Sequence, residues 1–217
     1  ASHGTANRRT RCFMSQPKGL VYLLDDEPGM VRALTRLLRA EGFEVKGFTS
    51  PASFLEAFQA GSESCLVLDV AMPELDGLDL QKRLTHDGIL VPIVFLTGHG
   101  DIPTSVRAMK AGAVDFLTKP VDDSDLLHAV RAALARAAEQ RETAAISLRL
   151  ARLTPREREV MEHVVAGKLN KQIASDLGTG EQNIKVHRAR VMQKMQMDSM
   201  ADLVRTAEKL GIGSKTG

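Results

Sequence analysis

The chain has 217 residues, 43% of them apolar and 26% charged, the composition of an ordinary soluble globular protein with room for one large domain or two ordinary ones. No apolar run approaches the ~20 residues of a membrane-spanning helix, and the first residues carry charge without an apolar core, so neither a membrane span nor a secretory signal is read. The net charge of +2 conceals an asymmetry: residues 15–128 hold 10 Lys+Arg against 17 Asp+Glu, whereas residues 150–217 hold 12 against 8, which points to two domains with different partners and makes the basic second part a candidate for nucleic acid.

Residues 1–18 are expected to be a disordered leader, with Met14 as the natural start. Cys12 and Cys65 form neither a disulfide framework nor a metal spacing, and Cys65 lies in an apolar run, as a core thiol of a reducing cytoplasm would. LVYLL (20–24) reads as a short strand. PGMVRALTRLLRAEG then has helical periodicity, with Met30, Leu34, Leu37 and Leu38 on one face and Gly42 as the stop. FEVKGF (43–48) alternates like a strand. SPASFLEAFQAG follows as a helix with Ser50 as N-cap, Pro51 at its first position and Gly61 as its end. CLVLD (65–69) is a buried strand by its Leu and Val content, followed by a helix over 77–84. VPIVFLT (91–97) is the next strand, and DIPTSVRAMKAG (101–112) the next helix, capped by Asp101. AVDFLTKP (113–120) is the fifth strand, and an Ala-rich helix opens with Asp123 or Ser124 as cap. Five β-α units in succession predict a doubly wound α/β domain: a five-stranded parallel sheet with helices on both faces, joined by right-handed crossovers.

Ligands of such sheets sit outside the C-terminal strand ends. Those ends carry Asp25-Asp26, Asp69, Thr97 and Lys119-Pro120. Taken singly, Asp25 and Asp26 can cap a helix, Thr97 can serve a turn and Lys119 can be a solvated charge. Their arrival in order at one sheet edge is what singles them out. Three carboxylates at close range repel one another, and a hard divalent cation relieves the repulsion. The chemistry that fits is phosphoryl transfer onto Asp69, with Mg2+ (or Mn2+) neutralising charge, Lys119 pairing a carboxylate and then the phosphoryl group, and Thr97 donating to a phosphoryl oxygen.

LLDDE, LVLDVAMPELDG, FLTGHG and DFLTKP resemble the receiver domain of bacterial two-component response regulators, over residues 19–138. The resemblance implies a flavodoxin-like sheet and Asp69 as the phosphoacceptor. It implies Asp25, Asp26 and Asp69 as metal ligands, joined by the backbone carbonyl of Ala71. It makes Thr97, Phe116 and Lys119 the residues that sense the phosphoryl group, and it implies a cis peptide at Lys119-Pro120.

Residues 139–152 are polar, Ala-rich and free of Pro and Gly, a helical linker that is either one rigid helix or a hinge. From Leu153 only short helices follow. LTPREREVMEHVVAG carries a capping box of Thr154 and Glu157 with Pro155 at the first helical position. NKQIASDLG, residues 181–195 and SMADLVRTAEKLG complete an all-α, four-helix helix-turn-helix domain over 153–217. Its recognition helix, 181–195, has Ile184, Val191 and Met195 as core stripe and Lys185, His187, Arg188, Arg190 and Lys194 on its outer faces.

LTPREREVMEHVVAGKLNKQIASDLG and IKVHRARVMQKM resemble the LuxR-type DNA-binding domain. Together the halves resemble a NarL/FixJ-type regulator, with GHGDIPTSVRAMKAGAVDFLTKP similar to the FixJ and StyR branch. The resemblance places Lys185, Val186 and Ala189 at base edges, His187, Arg188 and Lys194 at the DNA backbone, and Thr154 and Lys171 at helix N-termini near phosphates. It implies a cytoplasmic transcription factor, switched by a cognate sensor histidine kinase through dimerisation or interdomain release. The phosphorylated homodimer would bind double-stranded promoter DNA, with RNA polymerase as a further partner and no membrane. Two rivals stand beside it: a phosphorylation-independent LuxR-type regulator, and an Asp-nucleophile phosphatase, which needs a second Asp where Ala71 stands.

Overall fold

A computed structural model describes residues 18–98 and 102–212. The leader up to residue 17, Cys12 and the Asp101 cap fall outside the described residues. The chain divides between Ala137 and Ala138 into two compact units.

The first unit alternates β1 (Leu20–Leu24), α1 (Pro28–Ala40), β2 (Glu44–Phe48), α2 (Pro51–Ala57), β3 (Ser64–Asp69), α3 (Gly77–His86), β4 (Ile93–Thr97), α4 (Ile102–Lys110), β5 (Asp115–Thr118) and α5 (Asp123–Ala151), the last continuing into the second unit. All five strands are parallel, in the order β2-β1-β3-β4-β5. The near-continuous apolar runs split by the two-residue period of a strand. Val21, Leu23, Cys65, Val67, Val94 and Leu96 face α1 and α5, where Leu34, Leu38, Leu126 and Val130 are buried. Tyr22, Leu24, Leu66, Leu68 and Phe95 face α2, α3 and α4, where Phe54, Leu80, Leu84 and Ala108 are buried. Cys65 belongs to the first of these layers, and burial pushes its thiol pKa up to about 12, which leaves it unreactive.

Two helix ends differ from the sequence expectation. α2 stops at Ala57 rather than at Gly61, because Phe58 turns out of the helix at ψ 131° and lays its ring against Tyr22 and Phe54 at centroid distances of 5.3 and 5.5 Å. α5 is capped by Asp122, not by Asp123 or Ser124: Asp122 Oδ1 accepts from the Ser124 N–H at 2.8 Å and from its hydroxyl at 2.6 Å. Gly42 ends α1 at φ +89°, a backbone conformation that a side chain resists.

The second unit is helical. α6 (Pro155–Val165), α7 (Asn170–Asp176), α8 (Glu181–Met195) and α9 (Met200–Lys209) enclose a core of Val160, Met161, Ile173, Ile184, Val191, Met195 and Leu203. Ile146 of α5 is buried in the same core, with Leu150 packed against it, so the segment expected as a linker contributes to the packing of this unit. Thr154 and Glu157 form a reciprocal capping box at the start of α6. Among the described residues, no helix is long and apolar enough to cross a membrane.

Candidate functional site

Register brings the acidic residues together. Leu24 of β1 is level with Leu68 of β3, so the next residues, Asp25 and Asp69, leave the sheet side by side. One ligand atom each from Asp25, Asp26 and Asp69 lies within 4.8 Å of the other two. Asp25 and Asp69 are buried and Asp26 is half-buried. From β5, the Lys119 N–H donates to the Thr97 carbonyl at 2.7 Å, which anchors the lysine beside the end of β4. Its ammonium then reaches Asp25 Oδ2 at 2.7 Å and Asp69 Oδ1 at 3.1 Å, with only 14% of the side chain exposed. The Lys119–Pro120 peptide is cis.

The charges are unequally satisfied. Asp25 accepts from the Glu27 N–H at 2.9 Å as well as from Lys119. Asp69 Oδ1 is shut off from water, and its contact with Lys119 is an ion pair without an aligned hydrogen bond. Burial raises the Asp69 carboxyl above the usual carboxylate range; the nearby Lys119 ammonium opposes the rise, and the charges of Asp25 and Asp26 add to it. Lys119 is held above the usual lysine range: burial opposes its charge, but the hydrogen bond to Asp25 and the ion pair with Asp69 outweigh that. One ammonium facing three carboxylates leaves a negative excess in a site of oxygen donors with an under-coordinated buried oxygen. That donor set fits a hard divalent cation such as Mg2+.

Thr97 is buried at the end of β4. Phe116 on β5 is half-buried, its ring 6.1 Å from that of Phe95. Ala71, two residues beyond Asp69, is exposed. Gly77, at the first position of α3, is a site residue that the sequence did not single out: its N–H donates to the Val70 carbonyl at 2.9 Å, and a Cβ there would run into the Asp69 carbonyl oxygen. Asp76-Gly77 looked like turn chemistry, and only the folded backbone reveals that the glycine lets α3 press against the residue carrying the carboxylate.

On α8, Ile184, Val191 and Met195 face the core. Lys185, Val186, Ala189 and Arg190 are exposed, as is Lys171 on α7. His187 is half-buried and its Nδ1 has no hydrogen-bond partner among the described residues. Arg188 donates to Asn170 Oδ1 at 2.6 Å, tying α8 to α7. Thr154 is exposed, and its hydroxyl oxygen accepts from the Glu157 N–H at 3.3 Å. Lys194, expected at the DNA backbone, is half-buried. Its ammonium sits 2.6 Å from Glu157 Oε2, because that carboxylate is buried and draws the cation at the end of α8.

Comparison with known proteins covers both units. The family described as "Response regulator receiver domain" matches residues 21–131, and "Bacterial regulatory proteins, luxR family" matches residues 151–207. Nodulation protein W of Bradyrhizobium diazoefficiens is 47% identical over 201 residues, which cover 91% of this chain and 88% of that one. The transcriptional regulatory protein FixJ of the same organism is 44% identical over 199 residues, 90% of this chain and 97% of its own. Among solved structures, the response regulator StyR superposes with a TM-score of 0.68 at 43% identity, covering 88% of this chain and 98% of that chain. Full-length FixJ from B. japonicum superposes at 0.56 with 42% identity, covering 90% and 98%.

Proposed function

The chain belongs to the response regulators that join a receiver domain to a LuxR-type DNA-binding domain, and on that premise we propose that Asp69 is the phosphoacceptor through which a sensor histidine kinase controls transcription. The observation that carries this reading is the convergence of three carboxylates within 4.8 Å of one another, two of them paired with the half-buried ammonium of Lys119.

An Asp69 carboxylate oxygen attacks the phosphorus of a phosphohistidine. The O–P bond forms as the P–N bond breaks, the electron pair stays on the imidazole nitrogen, and a solvent proton neutralises it. Asp25, Asp26 and Asp69, with the Ala71 carbonyl, would hold Mg2+ or Mn2+, which when bound neutralises charge on the carboxylates and on the incoming phosphoryl group. Lys119 keeps Asp25 and exchanges Asp69 for a phosphoryl oxygen, so its charge stays paired throughout. The Thr97 hydroxyl donates to a second phosphoryl oxygen. Phe116 follows that movement and shifts the population of two arrangements of the α4, β5 and α5 surface. The same carboxylates catalyse the chain's own phosphotransfer and dephosphorylation.

The shifted surface pairs two phosphorylated chains, and the dimer reads two half-sites of promoter DNA in the cytoplasm, with RNA polymerase as the downstream partner. Lys185, Val186 and Ala189 face base edges; His187, Arg188, Lys171 and Thr154 face the phosphodiester backbone. Intact mass after incubation with acetyl phosphate and Mg2+ tests the acceptor. One phosphoryl-sized gain is expected on the wild type and none on Asp69→Ala. A gain that survives in Asp69→Ala refutes the assignment.

A further inference from the structure

We propose that Lys194 is a positioning residue of the recognition helix rather than a phosphate contact, and that with Glu157 it forms a charged buckle holding the last turn of α8 to the α5–α6 corner. The proposal rests on the reading of the second unit as a DNA-binding domain.

Two of the three protons of the Lys194 ammonium are committed inside the unit, one to Glu157 Oε2 at 2.6 Å and one to the Arg152 carbonyl at 3.2 Å. Glu157 is 3% exposed, and the same Oε2 accepts from the Thr154 N–H at 2.8 Å. A buried carboxylate needs a counter-charge, and among the described residues the cation paired with this one is Lys194. The pairing holds the Glu157 carboxyl below the usual range, the Lys194 hydrogen bond first among the causes.

Both charges also sit at favourable helix poles. Glu157 occupies the first turn of α6, where free N–H groups concentrate positive charge. The Arg152 carbonyl directly follows α5, where free carbonyls concentrate negative charge, and the ammonium lies against it. One side chain therefore joins the end of α5, the start of α6 and the last turn of α8. The N-terminal half of α8 is tied separately, by Arg188 to Asn170. The stripe of Ile184, Val191 and Met195 sets which face of α8 is buried, and the two polar ties limit its sliding and rotation. Arg190 on the same helix is exposed and has no carboxylate partner among the described residues, which leaves it open to a phosphate.

A phosphate contact and a buckle differ in salt dependence. Each neutralised phosphate contributes about 0.9 to the slope of log affinity against log salt, whereas an internal ion pair contributes nothing to it. The probe is a duplex selected from a random pool by the wild-type full chain. Lys194→Met and Glu157→Gln should each weaken binding about tenfold, the factor carried by one charged hydrogen bond, with the slope unchanged. Lys194→Arg should recover most of the affinity. Lys171→Gln, as the control contact, should lower the slope by about 0.9. A slope loss of that size in Lys194→Met, with Glu157→Gln binding as the wild type does, overturns the proposal. Thermal melts of Glu157→Gln, Lys194→Met and the double variant give an answer without DNA. The double variant should be no less stable than the worse single, and strict additivity overturns the buckle. If selection recovers no duplex, the DNA-binding reading fails, and the melting cycle still decides the buckle.

Discussion

Replacing Gly77 by alanine sets two effects of opposite sign against each other. Gly77 opens α3 and has an ordinary backbone conformation there, so helix propensity alone favours alanine by about 1 kcal/mol. The new Cβ, however, would meet the Asp69 carbonyl oxygen far inside contact distance, the Val70 Cα at 3.2 Å and the Asp69 carbonyl carbon at 3.3 Å. All three are backbone atoms of the segment that carries Asp69, and none can swing aside as a flexible side chain would. Overpacking of this kind costs about 1–3 kcal/mol, so against rigid backbone the clash should win, with a net loss of about 1 kcal/mol at the middle of that range. The relief route is a shift of α3 or of the Asp69 backbone by a few tenths of an ångström. A full 1 Å misplacement of reacting groups costs about 100-fold in rate, so phosphorylation by acetyl phosphate should slow about tenfold. Urea unfolding gives the stability, and the time course of intact mass gives the rate. A Gly77→Ala protein that is more stable by about 1 kcal/mol and is phosphorylated at the wild-type rate would show that α3 does not press on the Asp69 backbone.

Lys119→Gln removes the cation shared by Asp25 and Asp69; leaving buried carboxylates without it should cost about 3–5 kcal/mol by urea unfolding in the absence of divalent cations, and an unchanged midpoint would contradict the ion-pair geometry. The Asp69 carboxyl has a folded pKa above its unfolded value, so its contribution to stability is complete below about pH 4 and is lost as pH rises through the folded value. Unfolding midpoints in EDTA should fall across that window for the wild type and flatten in Asp69→Asn. Mg2+ at 100 times its Kd should return about 2.7 kcal/mol to the wild type and much less to Asp69→Ala, measured by the same titration. Ile184 is fully buried in the helical unit, so Ile184→Ala should cost about 2–5 kcal/mol by thermal unfolding, and a loss under 1 kcal/mol would show that α8 packs some other way.

The acidic edge was legible because a parallel sheet forces all strand C-termini to one side, so carboxylates at successive strand ends must converge whatever the loops do. The same periodicity identified α8 and its buried stripe to the residue. Contacts closed by tertiary structure were not legible. Gly61 looked like the stop of α2, but Phe58 leaves the helix earlier to pack on Tyr22 and Phe54. Asp122, Asp123 and Ser124 can all cap, and the path of the backbone after Pro120 selects Asp122. A helical wheel turns Lys194 outward and contains no sign of Glu157, 37 positions away along the chain. Gly77 carries the same lesson: a glycine in turn-like sequence gives no hint that backbone presses against it from β3.

In the proposed function, phosphorylation of Asp69 changes the affinity of the second unit for DNA. The most direct test is the affinity of the full chain for a duplex selected by the phosphorylated protein, measured with and without acetyl phosphate and Mg2+, for the wild type and for Asp69→Ala. A gain of at least tenfold is expected on phosphorylation of the wild type and none in the variant. Equal affinities for the phosphorylated and unphosphorylated wild type, with phosphorylation verified by mass, would contradict it.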